Sequence, residues 1–88
     1  MILQISLDVN NISLTLKDGH KVIDTLAWND EYTLSEKLLP NIHQLLEKNN
    51  VSKNKVKLVG KITKNSGVTS SRIVKTIVAA WKIGNEVL

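Results

Sequence analysis

The sequence predicts a small α/β domain in the order β-β-β-α-β-α, with a mixed four-stranded sheet and two helices on one of its faces. The first 28 residues alternate between apolar and polar side chains and contain two hairpin-turn signals. Two later segments have apolar residues at helical spacing, and a fourth alternating segment lies between them. Because a helix joins the third and fourth strands, the right-handed crossover rule makes the fourth strand parallel to the first.

An antiparallel meander accounts for the first third of the chain. Residues 1–9 form a strand with one apolar face, made by Leu3, Ile5, Leu7 and Val9. Asn10-Asn11 tolerates the positive φ of a tight turn, and a second strand begins at Ile12. Asp18-Gly19 is a second turn signal, and the third strand covers residues 21–28.

The first helix is predicted to begin at a capping box formed by Thr33 and Glu36 and to stop at Asn49-Asn50. Its apolar stripe comprises Leu34, Leu38, Ile42, Leu45 and Leu46. Pro40 removes one helical hydrogen bond, so we expect a bend there without a break.

The fourth strand carries lysines on one face. Its apolar residues, Val56, Leu58 and Ile62, alternate with Lys55, Lys57 and Lys61. A central parallel strand would be apolar throughout, so this strand is predicted to lie at an edge of the sheet.

The last helix, residues 69–83, is apolar around most of its circumference through Ile73, Val74, Ile77, Val78, Ala80 and Trp81. Its clear solvent groups are Arg72, Lys75 and Lys82. A helix of this kind needs burial on two sides, and the sheet provides one. Within the chain only the first helix is a candidate for the other side, and a further partner is expected where that helix does not suffice.

Length and composition limit the class of protein. The 88 residues are enough for a single domain, 1–88, and the absence of cysteine excludes disulfides and thiolate metal sites. Gln4, Ser6 and Asp8 interrupt the opening stretch, so neither a signal peptide nor a membrane span is predicted, and we expect a cytoplasmic protein. The net charge of +4 comes from the second half, which favours contact with RNA or an acidic partner, or serves solubility alone.

The polar residues do not form a recognisable catalytic set. Asp8 lies on the polar face of the first strand but has no second carboxylate beside it. His20 and His43 lack neighbouring ligands at metal-site spacing. The loop from Gly60 to Ser71 precedes a helix, as anion sites do, but has only two glycines. No catalytic, metal or cofactor-binding residue is predicted.

Three segments together resemble one family. The run MILQISLDVNNISLTLKDGHKV, the stretch LSEKLLP at residues 34–40 and NSGVTSSRI at residues 65–73 resemble, in order, three motifs of TsaB (also called YeaZ). Thr69, Arg72 and Ile73 are retained from the third motif, and Pro40 takes the place of the family's in-helix proline. The resemblance spans nearly the whole chain.

The resemblance implies the N-terminal lobe of an actin-like, RNase H-like fold, and so a single RNase H-like half-domain. TsaB proteins are non-catalytic scaffold partners of TsaD in the threonylcarbamoyladenosine modification of tRNA, and they dimerise through their first two helices. The resemblance thus implies a partner interface on both helices of this chain. This interface is predicted to comprise Leu39, Ile42, His43, Leu46, Val74, Ile77, Val78 and Trp81.

The departures from the family also matter. Ser6 and Leu7 replace the aspartate and threonine of the first strand, and the family's second lobe is missing from this sequence. No cofactor is therefore expected. Three hypotheses follow: a TsaD-like partner with an indirect contact to tRNA, a homodimer of divergent role, or a weak RNA-binding module using Lys53, Lys55, Lys57, Lys61 and Lys64.

Overall fold

The structure is a computed structural model that describes the backbone of residues 1–87 and the side chains of residues 1–81. The elements follow the predicted order: β1 Ile2–Asp8, β2 Asn11–Asp18, β3 Lys21–Asn29, α1 Leu34–Lys48, β4 Lys57–Ile62 and α2 Val68–Val87. A single 3-10 turn, Lys53–Lys55, precedes β4. The predicted fold class is confirmed.

The four strands form one sheet in the order β3-β2-β1-β4. β1 pairs antiparallel with β2 and parallel with β4, which confirms both the mixed sheet and the edge position of β4. Leu3 lies opposite Leu16 on one side and Leu58 on the other, so the three leucines share a face. The opposite face carries Gln4 and Thr15 and is not covered by either helix.

The core lies between the apolar face of the sheet and the two helices. Side chains from β1, β2, β4, α1 and α2 form one buried cluster. Leu38 and Ile42 of α1 and Val74 of α2 are completely inaccessible to solvent. Leu26 and Trp28 of β3 are only partly buried, so β3 is the less covered edge of this core.

The two hairpin turns differ in the residue that takes positive φ. Asp18 pairs with Lys21, and Gly19 between them has φ 64°. Asp8 pairs with Asn11, and Val9, with φ 56°, takes the left-handed conformation in place of the predicted asparagines. The pairing places the turn at Val9-Asn10, and the Val9 amide donates a hydrogen bond to Ser66 Oγ at 3.1 Å. The prediction for Asn10-Asn11 is therefore wrong by one residue.

Asp30, not a capping box, organises the start of α1. The Thr33 side chain makes no cap hydrogen bond to the helix, which contradicts the prediction. Instead the Thr33 amide and hydroxyl both donate to Asp30 Oδ1, at 2.7 and 2.8 Å, and Trp28 Nε1 donates to Oδ2 at 3.2 Å. Burial acts to raise the pKa of Asp30, but the donors from Thr33 and Trp28 together bring that pKa below its ordinary value.

Each helix contains a position at which the sequence did not determine its exact course. α1 continues through the exposed Pro40, and its predicted bend stays a prediction. α2 covers Val68–Val87, longer than the predicted 69–83, so Asn85 continues the helix. The Lys82 side chain and Leu88 lie outside the described residues. In the described part of the chain, neither helix has the length and apolar character needed to cross a membrane.

Candidate partner interface

The outer surface of α1 and α2 carries two adjoining depressions, which we call together the helix groove. One, of about 360 Å³, is lined by Ser35, Thr69, Arg72, Ile73, Thr76 and Ile77. The other, of about 140 Å³, is lined by Leu39, His43, Lys53, Ile77, Ala80 and Trp81. Ile77 belongs to both, so it marks the centre of the helix groove.

The structure places the eight predicted interface residues in three different surroundings. Leu39 is 40% exposed, His43 is exposed and Ile77 is partly buried, and all three line the helix groove. Val78 is also partly buried, but it lies on the side of α2 that faces β4. The remaining four belong to the core of the chain, although Trp81 also lines the helix groove: Ile42, Leu46, Val74 and Trp81.

Four of the predicted residues are buried for a geometric reason. Leu38, Ile42 and Leu46 follow one another at intervals of four and point towards the sheet. Leu39 and His43 are each one residue further on, about 100° around the helix, and therefore point outward. Buried side chains such as Ile42 contact the rest of this chain, and the predicted interface itself stays a prediction.

Helix α2 has two apolar stripes with identical spacing. Val74, Val78 and Trp81 face the sheet, whereas Ile73, Ile77 and Ala80 border the helix groove. Ser35, Ile73, Thr76 and Ala80 were missing from the predicted interface. The second stripe was the sequence signal for Ile73 and Ala80, but spacing alone does not tell which stripe packs on the sheet.

Trp81 fixes one end of the helix groove. Its Nε1 donates to the Val56 carbonyl at 3.0 Å, and its ring lies 5.9 Å from that of His43 at an angle of 50°. Lys53 Nζ lies 5.4 Å from the centre of the Trp81 ring, within cation–π range. Arg72 lines the other end. The helix groove thus has an apolar centre with one basic group at each end.

Asp8 and the hydroxyl groups of the loop before α2 make hydrogen bonds that connect the ends of β1 and β4 with the start of α2. Asp8 Oδ1 accepts from Thr63 Oγ1 at 2.9 Å, and Ser66 Oγ donates to the Leu7 carbonyl at 3.2 Å. Ser71 Oγ donates to the Gly67 carbonyl at 2.8 Å in the first turn of α2. Among the described residues, no group of three His, Cys, Asp or Glu side chains is placed to hold a metal ion.

The described elements define an α/β lobe of four strands and two helices, with an exposed groove between the two helices. The sequence matches no family model and no curated protein. Among solved structures, YeaZ from Pseudomonas aeruginosa is similar, with a TM-score of 0.84 at 16% sequence identity. The match covers 97% of this chain and 39% of YeaZ. The predicted resemblance is therefore confirmed for the fold, and the chain spans well under half the length of YeaZ.

Proposed function

We propose that this chain is a non-catalytic, cytoplasmic scaffold protein of the TsaB type. It pairs through the helix groove with a TsaD-like protein and supports threonylcarbamoyladenosine modification of tRNA, with at most indirect contact to the tRNA. The observation that carries the proposal is the exposed apolar surface between α1 and α2. The fold likeness to YeaZ supports it.

The composition of the helix groove suits a partner helix. Leu39 is 40% exposed, and Ile73 and Ile77 are partly buried, so apolar side chains are accessible on both helices. Thr76 and Ala80 are small and exposed beside them, which leaves room for helices to approach at the usual interaxial distance of about 8–10 Å. The apolar centre with charged groups at its ends has the usual anatomy of a protein interface.

Two adjacent exposed alanines provide a matched test. Ala80 lines the helix groove, whereas Ala79 lies on the side of α2 that faces β4. The chain is mixed with the TsaD-type protein of the same organism, and the mass is measured by light scattering after size exclusion. We expect a mixed complex with the unchanged chain and with A79E, and at least roughly a tenfold loss of affinity with A80E.

Other outcomes would change the assignment. A dimer of this chain alone, lost in A80E and indifferent to the TsaD-type protein, would favour a homodimer of divergent role. A complex equally sensitive to both alanine variants would place the contact outside the helix groove. Circular dichroism on each variant separates loss of binding from loss of fold.

A further inference from the structure

The edge of β4 has backbone hydrogen-bonding groups that no other described strand satisfies. The sheet ends at β4 in the part of the chain that the structure describes. The Lys57 amide donates to the Met1 carbonyl and the Thr63 amide to the Leu7 carbonyl, both at 3.0 Å. Because successive residues of a strand point their amides in opposite directions, the amides and carbonyls of Leu58, Gly60 and Ile62 point away from β1.

An apolar groove runs beside this edge on the helix side of the sheet. It has a volume of about 440 Å³ and is lined by Gly60, Ile62, Val74, Lys75, Val78 and Ala79. Gly60 contributes no side chain, so Val74 and Val78 pack close to its backbone and form the floor of this groove. A strand added beside β4 would direct every second side chain into this groove.

The charges around the edge select the kind of strand that fits. Lys57 and Lys61 are exposed on the opposite face of β4, with Val59 between them, and Lys75 lines the groove. The sequence contains no Asp or Glu between Lys48 and Lys82. A second copy of β4 would place its own lysines against these, and like charges directly opposite destabilise a strand pair.

We propose that the β4 edge binds an extended segment of a partner protein, in which apolar residues alternate with acidic ones. The segment adds a strand to the sheet through the outward amides of β4. Its apolar side chains enter the groove beside Gly60, against Val78 and Ala79, and its acidic side chains meet Lys57 and Lys61. This surface is separate from the helix groove and gives the chain a second binding site beyond the proposed function.

Synthetic ten-residue peptides provide the probe. One alternates valine with glutamate, and its matched control alternates valine with lysine; both carry a fluorophore and are titrated with the full chain by anisotropy at low salt. We expect saturable binding of the glutamate peptide alone. Amide exchange followed by NMR should then show new protection at Gly60 and Ile62.

Matched variants locate the site. K61E changes an exposed lysine on the β4 edge, and K21E changes an exposed lysine on the opposite edge, so both alter the net charge equally. We expect K61E to weaken binding of the glutamate peptide about fivefold and K21E to leave it unchanged. A79E should abolish that binding and A80E should preserve it, the reverse of their effects on the helix groove.

Several results would overturn the proposal. The proposal fails if the glutamate peptide does not bind saturably or if the lysine peptide binds equally well. It also fails if K61E and K21E weaken peptide binding equally, or if the newly protected amides lie on β3 instead of β4. Protection at Gly60 that rises with protein concentration in the absence of peptide would assign the edge to self-association. Tighter binding of a ten-nucleotide oligouridine, lost in K61E, would assign the lysines to RNA.

Discussion

The two edges of the sheet are fastened to the helices by different interactions. At β3, Asp24 accepts from Asn49 Nδ2 at 3.0 Å and lies 3.5 Å from Lys48 Nζ, so polar side chains connect the strand to the end of α1. At β4, apolar side chains of α2 pack directly over Gly60, with Val74 Cγ1 only 3.4 Å from the position of a Cβ atom there.

The difference between the two edges shows which groups of the strand each kind of contact leaves accessible. The polar contacts at β3 use charged groups partly in water, so each contributes little and responds to pH and salt. The apolar contact at β4 is larger and insensitive to pH, and it occupies only the face of the strand. The backbone edge of β4 therefore stays accessible, and an apolar groove lies next to it.

Trp81→Ala should have the largest effect because it removes the buried indole that anchors α2 beside the start of β4. We expect the free energy of unfolding to fall by roughly 3–5 kcal/mol, measured by urea denaturation. Trp81→Phe keeps most of the apolar volume but loses the 3.0 Å hydrogen bond to the Val56 carbonyl, so the free energy of unfolding should fall by clearly less. Equal losses would show that packing of the ring contributes little.

Gly60→Leu tests the close approach of α2 to β4. A leucine side chain must displace Val74 and Val78, and overpacking of this kind costs roughly 1–3 kcal/mol. Gly60→Ala places its Cβ 3.4 Å from Val74 Cγ1, which is ordinary contact, and should change stability by less than about 0.5 kcal/mol. Thermal denaturation of the leucine and alanine variants provides the measurement. A leucine variant as stable as the alanine variant would contradict close packing of α2 on β4.

Val9→Gly should stabilise the chain by about 0.5–1 kcal/mol, because glycine adopts positive φ without strain but loses more chain entropy on folding. Val9 has φ 56° and is 45% exposed, so little packing is lost. Val9→Ala retains the strain and serves as the control. A chemical denaturation midpoint that does not rise for glycine over alanine would show that the Ser66 hydrogen bond removes the strain.

The smallest effect is expected for Asp24→Asn, and only in acid. Hydrogen bonds from Asn49, then from the Thr25 amide, hold the pKa of Asp24 below its ordinary value despite partial burial. A lowered pKa in the folded state stabilises the fold above the ordinary carboxyl pKa of about 3.9, and this stability is lost as pH falls through the folded value. As the pH falls from about 5 to about 2, through the ordinary carboxyl pKa, the melting temperatures of the two chains should converge. A constant difference would contradict the sign of the pKa shift.

Local patterns determined the strands but not the details of the connections. Alternation placed Leu3, Ile5 and Leu16 on the buried face because a strand has only two faces, one of which must be apolar. The turn at Val9 was missed because a hydrogen bond from the Val9 amide to Ser66, 57 residues away, favours a conformation that valine rarely adopts. Thr33 was assigned to a capping box because the spacing fits, yet Asp30 engages its side chain.

The sequence by itself determined the element order, the mixed sheet, the edge position of β4 and the resemblance to the fold of YeaZ. Only the tertiary structure decided which apolar stripe of each helix is buried. Ile42, Leu46, Val74 and Trp81 proved to be core, while Ile73 and Ala80 border the helix groove. The physical reason is that periodicity reports which residues share a helix face, whereas the rotation of that helix is fixed by packing against the sheet.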